Sequence, residues 1–151
     1  MVVAFCGHAS YVENPMDENR VLRFLENEIR ECAVEFFLGE YGAFDSFAYR
    51  CAKKYKDKHP QSKLIFIAPY ISYSIEYTGY LNECFDEIIY PPLENVPLKY
   101  AIVHRNRWIV NEADLIVSYV SHKYGGAYAT YSYARRKNKR IYNISPCFET
   151  V

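Results

Sequence analysis

Short apolar runs recur along the chain, separated by stretches of helical periodicity. The runs are Val2 to Cys6, Val34 to Leu38, Leu64 to Ala68, Glu87 to Tyr90, Leu115 to Tyr119 and Arg140 to Ile144. Several are apolar at consecutive positions, as strands covered on both faces must be, which predicts a parallel sheet. A first helix is predicted from Asn14 as its cap, with Pro15 in the first turn and Asp17 complementing the dipole, to near Cys32. Its stripe is Val21, Leu22, Leu25, Ile29 and Cys32. A second, from about Ala43 to Lys56, buries Phe44, Phe47, Ala48, Cys51, Ala52 and Tyr55 at spacings of three and four. Between Pro69 and Pro97 aromatic and polar residues alternate and Pro91-Pro92 interrupts, so an irregular crossover followed by a short strand is expected. A third helix is predicted from about Leu98 to Glu112, and a fourth from just after Gly125-Gly126 to before Arg140.

Strands alternating with helices imply right-handed crossovers and an α/β fold: a single Rossmann-like, doubly wound, mostly parallel sheet flanked by helices. The 151 residues show no repeat or linker, so one domain spanning 1–151 is expected. In such sheets ligands sit outside the carboxyl ends of the strands, and the loops there carry the chemistry.

Charge narrows the partners. Lysine plus arginine number 18, as do aspartate plus glutamate, so no global field favours nucleic acid or an anionic membrane. The basic run from Arg135 to Arg140 reads as a solvated helix end. Five cysteines without a C-x-x-C pair read as reduced, and no stretch approaches the ~20 apolar residues of a membrane span. With no secretion-signal pattern at Met1 to Phe5, a cytoplasmic location is the expectation. Tyrosine is over-represented, at 16 residues, and the cluster Tyr70, Tyr73, Tyr77 and Tyr80 suits a self-association surface or amphipathic packing more than a base-stacking platform, so a homo-oligomer is an expectation.

Three glycine-bearing segments fall at predicted strand ends: Cys6-Gly7-His8-Ala9-Ser10, Gly39-Glu40-Tyr41-Gly42-Ala43-Phe44-Asp45 and Ser121-His122-Lys123-Tyr124-Gly125-Gly126-Ala127. Glycine lets a ligand approach backbone amides, and a helix opening just beyond offers unpaired N–H groups to a phosphate. None of the three matches G-x-G-x-x-G or a P-loop, and no cofactor is implied. His8 either contacts a phosphate, acts as an acid, or bonds a nearby backbone carbonyl. Ser121, Gly125, Gly126 and Thr130 make a phosphate cradle or cap the fourth helix. Asp45 is open to capping the second helix or holding a ribose hydroxyl. Cys6, two positions before His8, closes an apolar run and reads as buried and inert. His59, His104 and His122 lack ligand spacing, so no metal site is expected.

In their order and strand context these residues resemble the SLOG superfamily of Rossmann-like proteins, and within it the YpsA-like branch. The resemblance rests on Phe5-Cys6-Gly7-His8, where that branch has G-H-R, and on Gly39 to Asp45, where it has G-G-x-x-G-x-D. It rests also on Arg105-Asn106-Arg107-Trp108-Ile109-Val110 and on Gly125-Gly126, and runs over nearly the whole chain. It implies a nucleotide or nucleotide-derived small-molecule ligand held by Gly7, His8, Ala9, Gly39, Glu40, Gly42, Asp45, Arg107, Ser121, Gly125, Gly126 and Thr130. The superfamily's LOG phosphoribohydrolases carry E-R-K-x-x-M and P-G-G-x-G-T-x-x-E, which puts Arg107 at the arginine position, with a surface salt bridge to Glu112 or Asp114 as its plainer role. The final glutamate has no counterpart, because the count from Gly125-Gly126 reaches Ser132. Binding or sensing is therefore the first expectation. The alternative is an N-glycosidic hydrolase with Arg107 on phosphate charge and Glu40 or Asp45 as its acid, and the third is a protein-interaction scaffold without ligand.

Overall fold

The computed structural model describes residues 1–30, 33–69 and 74–146. Its six strands are β1 (Val2–Gly7), β2 (Glu35–Leu38), β3 (Lys63–Ile67), β4 (Glu87–Ile89), β5 (Leu115–Tyr119) and β6 (Arg140–Asn143). They form one all-parallel sheet in the order β4-β3-β2-β1-β5-β6. The helices are α1 (Asp17–Glu28), α2 (Ala43–Lys58), α3 (Ile75–Cys84), α4 (Ala101–Glu112) and α5 (Gly125–Arg136).

Strand alternation sorts the core onto two faces. Val3, Phe36, Leu64, Phe66, Leu115 and Val117 point one way and pack with Val21 and Leu25 of α1, Phe44 and Phe47 of α2 and Leu81 of α3. Ala4, Phe37, Ile65, Ile67 and Ile116 point the other way, onto Ile109 and Val110 of α4 and Ala134 of α5. With both faces covered, consecutive positions along a strand must be apolar, which is why the runs read as continuous. The result is the doubly wound α/β architecture that the periodicity predicts. No helix among the described residues is long and apolar enough to cross a membrane.

Three expectations need correction. Residues between Pro69 and Pro97 are not simply irregular before the strand, because α3 lies there, capped by the Ser74 side chain, which accepts the Tyr77 N–H at 3.1 Å. The first helix begins at Asp17 rather than at Asn14. Asp17 is drawn inward, its carboxylate accepting the Tyr11 hydroxyl at 2.7 Å and the Asn14 N–H at 3.1 Å, so residues 14–16 form a separate turn. That helix stops at Glu28, while Cys32 lies outside the described residues. Finally, Leu98–Tyr100 is a 3-10 turn that leads into α4 instead of being part of it. Of the basic run, Arg135 and Arg136 lie in the last turn of α5, Lys137 to Lys139 follow it and Arg140 opens β6.

Candidate functional site

The chain leaves β1 toward β2 on one side and enters β5 on the other, so the strand order reverses between β1 and β5. Crossovers diverge at that point and leave a crevice above the carboxyl ends of the two strands. A cleft of about 430 Å3 opens there, walled by the ends of β1 and β2–α2, the loop after β5, and the first turns of α4 and α5. His8, Ala9, Asp45, Gly125, Gly126 and Thr130 line it. A second cavity, of about 560 Å3, is lined by Gly39, Glu40, Gly42 and Tyr80, and Asp45 lines both.

The glycines divide into two kinds. A Cβ on Gly7 would lie 2.2 Å from Cγ of the buried Phe44, and one on Gly42 would lie 2.5 Å from the Ala9 Cα. These glycines let α2 and its loop press against the end of β1. A Cβ on Gly39 would lie 2.8 Å from Nη1 of Arg105, so Gly39 makes room for a side chain. Gly125 and Gly126 face open space, and Gly125 has φ +89°, a conformation that favours glycine. Both residues line the cleft at the first turn of α5.

Arginine is present in the cleft, but at a different position from the one the family motif suggests. Arg105 is buried and lines the cleft; its Nη1 donates to the Ile67 carbonyl at 3.2 Å and its Nη2 to Asn106 Oδ1 at 2.8 Å. Its guanidinium also lies over the Tyr41 ring, 4.9 Å from the centroid. Arg107 is exposed and lies over the Tyr133 ring at 5.4 Å, away from both cavities. Two residues along a helix turn the side chain by roughly 200°, so one arginine faces the cleft and the other faces away from it. Asp114, offered as a partner for Arg107, accepts the Val2 N–H at 2.8 Å.

The acids separate in the same way. Glu40 faces the second cavity and accepts the Tyr77 hydroxyl at 2.9 Å and the Tyr80 hydroxyl at 3.3 Å. Tyr70 and Tyr73, the other members of that tyrosine cluster, lie outside the described residues. Asp45 is the carboxylate that lines the switch-point cleft among the described residues. It accepts the Tyr41 N–H at 2.8 Å. Burial pushes its carboxyl above the usual range, and the Tyr41 and Gly42 amides and the Arg105 charge pull back only in part.

His8 is buried, and among the described residues its ring bonds neither a carbonyl nor Cys6: its Nε2 accepts the Ser121 N–H at 3.0 Å. Burial first and the neighbouring His122 second hold it below the ordinary imidazole value. The Cys6 thiol donates to the Ala127 carbonyl at 3.2 Å, and burial pushes it up to about 12, so it is a protonated thiol and no nucleophile. Thr130 donates back to the Gly126 carbonyl at 3.0 Å, which ties the first turn of α5. Among the described residues no group of three or more His, Cys, Asp or Glu is placed to hold a metal ion.

Arg105, Tyr41, His122 and Tyr124 line the cleft from inside the segments noted in the sequence without having been singled out there as ligand residues, and Ile102 lines it from outside those segments. For Arg105 a signal existed: Ala101, Arg105 and Ile109 follow one another at four-residue intervals, and the outer two are apolar and inward-facing. No protein-family model matches the chain, and no curated protein matches it in sequence.

Proposed function

We propose that the switch-point cleft binds a nucleotide or nucleotide-derived anion, and that the chain is a SLOG-type Rossmann-like domain of the YpsA-like kind. One observation carries the ligand reading. The open Gly125-Gly126 start of α5 and the buried guanidinium of Arg105 line the same crevice at the β1/β5 reversal. Helix-start amides and a planar guanidinium are complementary to phosphate oxygens. The order of glycine-bearing strand ends supports the SLOG reading, and the inward placement of Arg105 in place of Arg107 departs from the motif.

A thermal-shift screen with nucleoside monophosphates, cyclic nucleotides and ribose 5-phosphate tests it. A ligand at a hundred times its Kd stabilises by about 2.7 kcal/mol, a rise of roughly 5–10 °C for a chain of this size. No shift with any of them sinks the ligand reading and leaves the scaffold.

Hydrolysis of the N-glycosidic bond is the second reading, favoured by Asp45, a half-buried carboxyl held above the usual carboxylate range beside the same guanidinium. Chromatographic detection of free base after incubation with nucleoside monophosphates would establish turnover, and Asp45→Asn should then abolish release.

Asp45→Asn also has a consequence for stability. Because the folded-state value is raised, ionised Asp45 lowers stability at neutral and higher pH, and the penalty disappears as pH falls through that value. The variant should melt a few degrees above wild type at about pH 8 and converge with it at about pH 4, a gain of order 1 kcal/mol at most. A variant that is less stable at both pH values would mean that the carboxylate's hydrogen bonds outweigh its burial.

A further inference from the structure

The two histidines at the cleft are stacked, and one of them also holds a backbone amide. The His8 and His122 rings lie 3.7 Å apart at an interplanar angle of 6°, and His122 stacks in turn on Tyr124 at 3.8 Å and 28°. On its edge, His8 Nε2 takes the N–H of Ser121, a residue 113 positions away in sequence. The amide contact needs a neutral His8, and the stack excludes a charge on both rings at once. A ring nitrogen accepts an N–H only while it carries no proton of its own, so the proton of the neutral ring sits on Nδ1. Two imidazolium rings face to face at this separation would repel.

We propose that His8 is a proton-operated latch on the loop that walls the cleft. Neutral, it clips Ser121 and His122 to the end of β1 and so sets where α5 begins; protonated, it loses its acceptor and releases the loop.

The titratable and charged side chains that share the cleft with His8 come from every wall. They are Cys6 of β1, Tyr41 and Asp45 on the β2–α2 side, Arg105 of α4, and His122 and Tyr124 of the loop itself. Tyr119 of β5 meets the ring on its edge at 6.4 Å. Burial first and His122 second oppose a proton on His8. With burial dominant, the folded value lies below the ordinary imidazole value of about 6.5. The stabilisation that the neutral ring gives is therefore complete above 6.5 and is lost as pH falls from there through the folded value.

Amide hydrogen exchange read by NMR, corrected for the intrinsic pH dependence, tests the latch. Ser121 should lose up to about tenfold of its protection for each pH unit as pH falls from about 6.5 toward the His8 midpoint, while Ile65 in β3 keeps its own. His8→Gln, which places a non-titrating acceptor near the position of Nε2, should flatten the Ser121 profile. Ser121 protection that stays constant, that follows Ile65, or that keeps its pH dependence in His8→Gln overturns the latch. The imidazole 15N spectrum of the wild type is a check that needs no variant: a neutral His8 protonated at Nε2 also overturns it. The measurement uses no ligand, so failure here leaves the nucleotide reading standing, and failure of the nucleotide screen leaves the latch standing.

Discussion

Replacing Gly7 by alanine should cost the fold about 1–3 kcal/mol, toward the upper end of what overpacking a core does. The new Cβ would lie 2.2 Å from Cγ and 2.3 Å from Cδ1 of Phe44, distances no packed atoms adopt. Phe44 has nowhere to go: it is fully buried, meets Tyr11 edge to face at 5.3 Å and lies 5.6 Å from Phe47. Either the first turn of α2 moves off β1 or the strand end moves off the sheet. At this chain length each kcal/mol lowers Tm by roughly 2–4 °C, so a drop of up to about 10 °C is expected. Phe44→Leu alone should also destabilise, but combined with Gly7→Ala it should recover part of the loss, giving a favourable coupling in the double-mutant cycle. A Gly7→Ala protein melting with the wild type would mean that α2 does not sit this close to β1. The effect belongs to the unliganded fold. Gly7 is needed because a helix passes over it, whatever the cleft binds.

That distinction shows what the sequence could and could not reveal. The strands and α2 were legible because burial on both faces writes itself into consecutive apolar residues and into a three-and-four spacing. The helix α3 was not, because it buries little beyond Leu81 and leaves Ile75 91 % exposed and Tyr80 48 % exposed. Without an apolar stripe its one local mark was the Ser74 cap. That ligands would sit at the carboxyl ends of the strands followed from the alternation of elements, but the reversal between β1 and β5 did not, because strand order is set only in the folded sheet. The division of labour among the glycines did not, since Gly7, Gly39 and Gly42 are explained by Phe44, Arg105 and Ala9, which are neighbours only in the folded chain. The same holds for the His8–Ser121 bond and the His8–His122 stack, which join the ends of two strands far apart in sequence. Arg105 was legible in principle. Helical phase places it between Ala101 and Ile109 on the inward face, whereas motif alignment drew attention to Arg107.

Under the proposed function those two arginines should respond in opposite ways to substitution. Arg105→Lys keeps a positive charge but loses the planar fork, and should weaken the ligand found in the nucleotide screen about 10- to 100-fold, the worth of one or two charge-assisted hydrogen bonds. Arg107→Ala, which removes an exposed side chain lying over Tyr133, should change affinity by no more than about twofold. Arg105 also donates to the Ile67 carbonyl and to Asn106, so its variant will lose some stability, and affinity must be measured by calorimetry well below its Tm. Gly39→Ala supplies an independent disturbance that leaves both arginines in place. Its Cβ would lie 2.8 Å from Arg105 Nη1 and must push the guanidinium from its seat, so affinity should fall while Arg107 is untouched. If Arg107→Ala abolishes binding and both Arg105→Lys and Gly39→Ala spare it, the ligand sits on the outer face of α4, at the arginine the family motif suggests, and not in the cleft at the β1/β5 reversal.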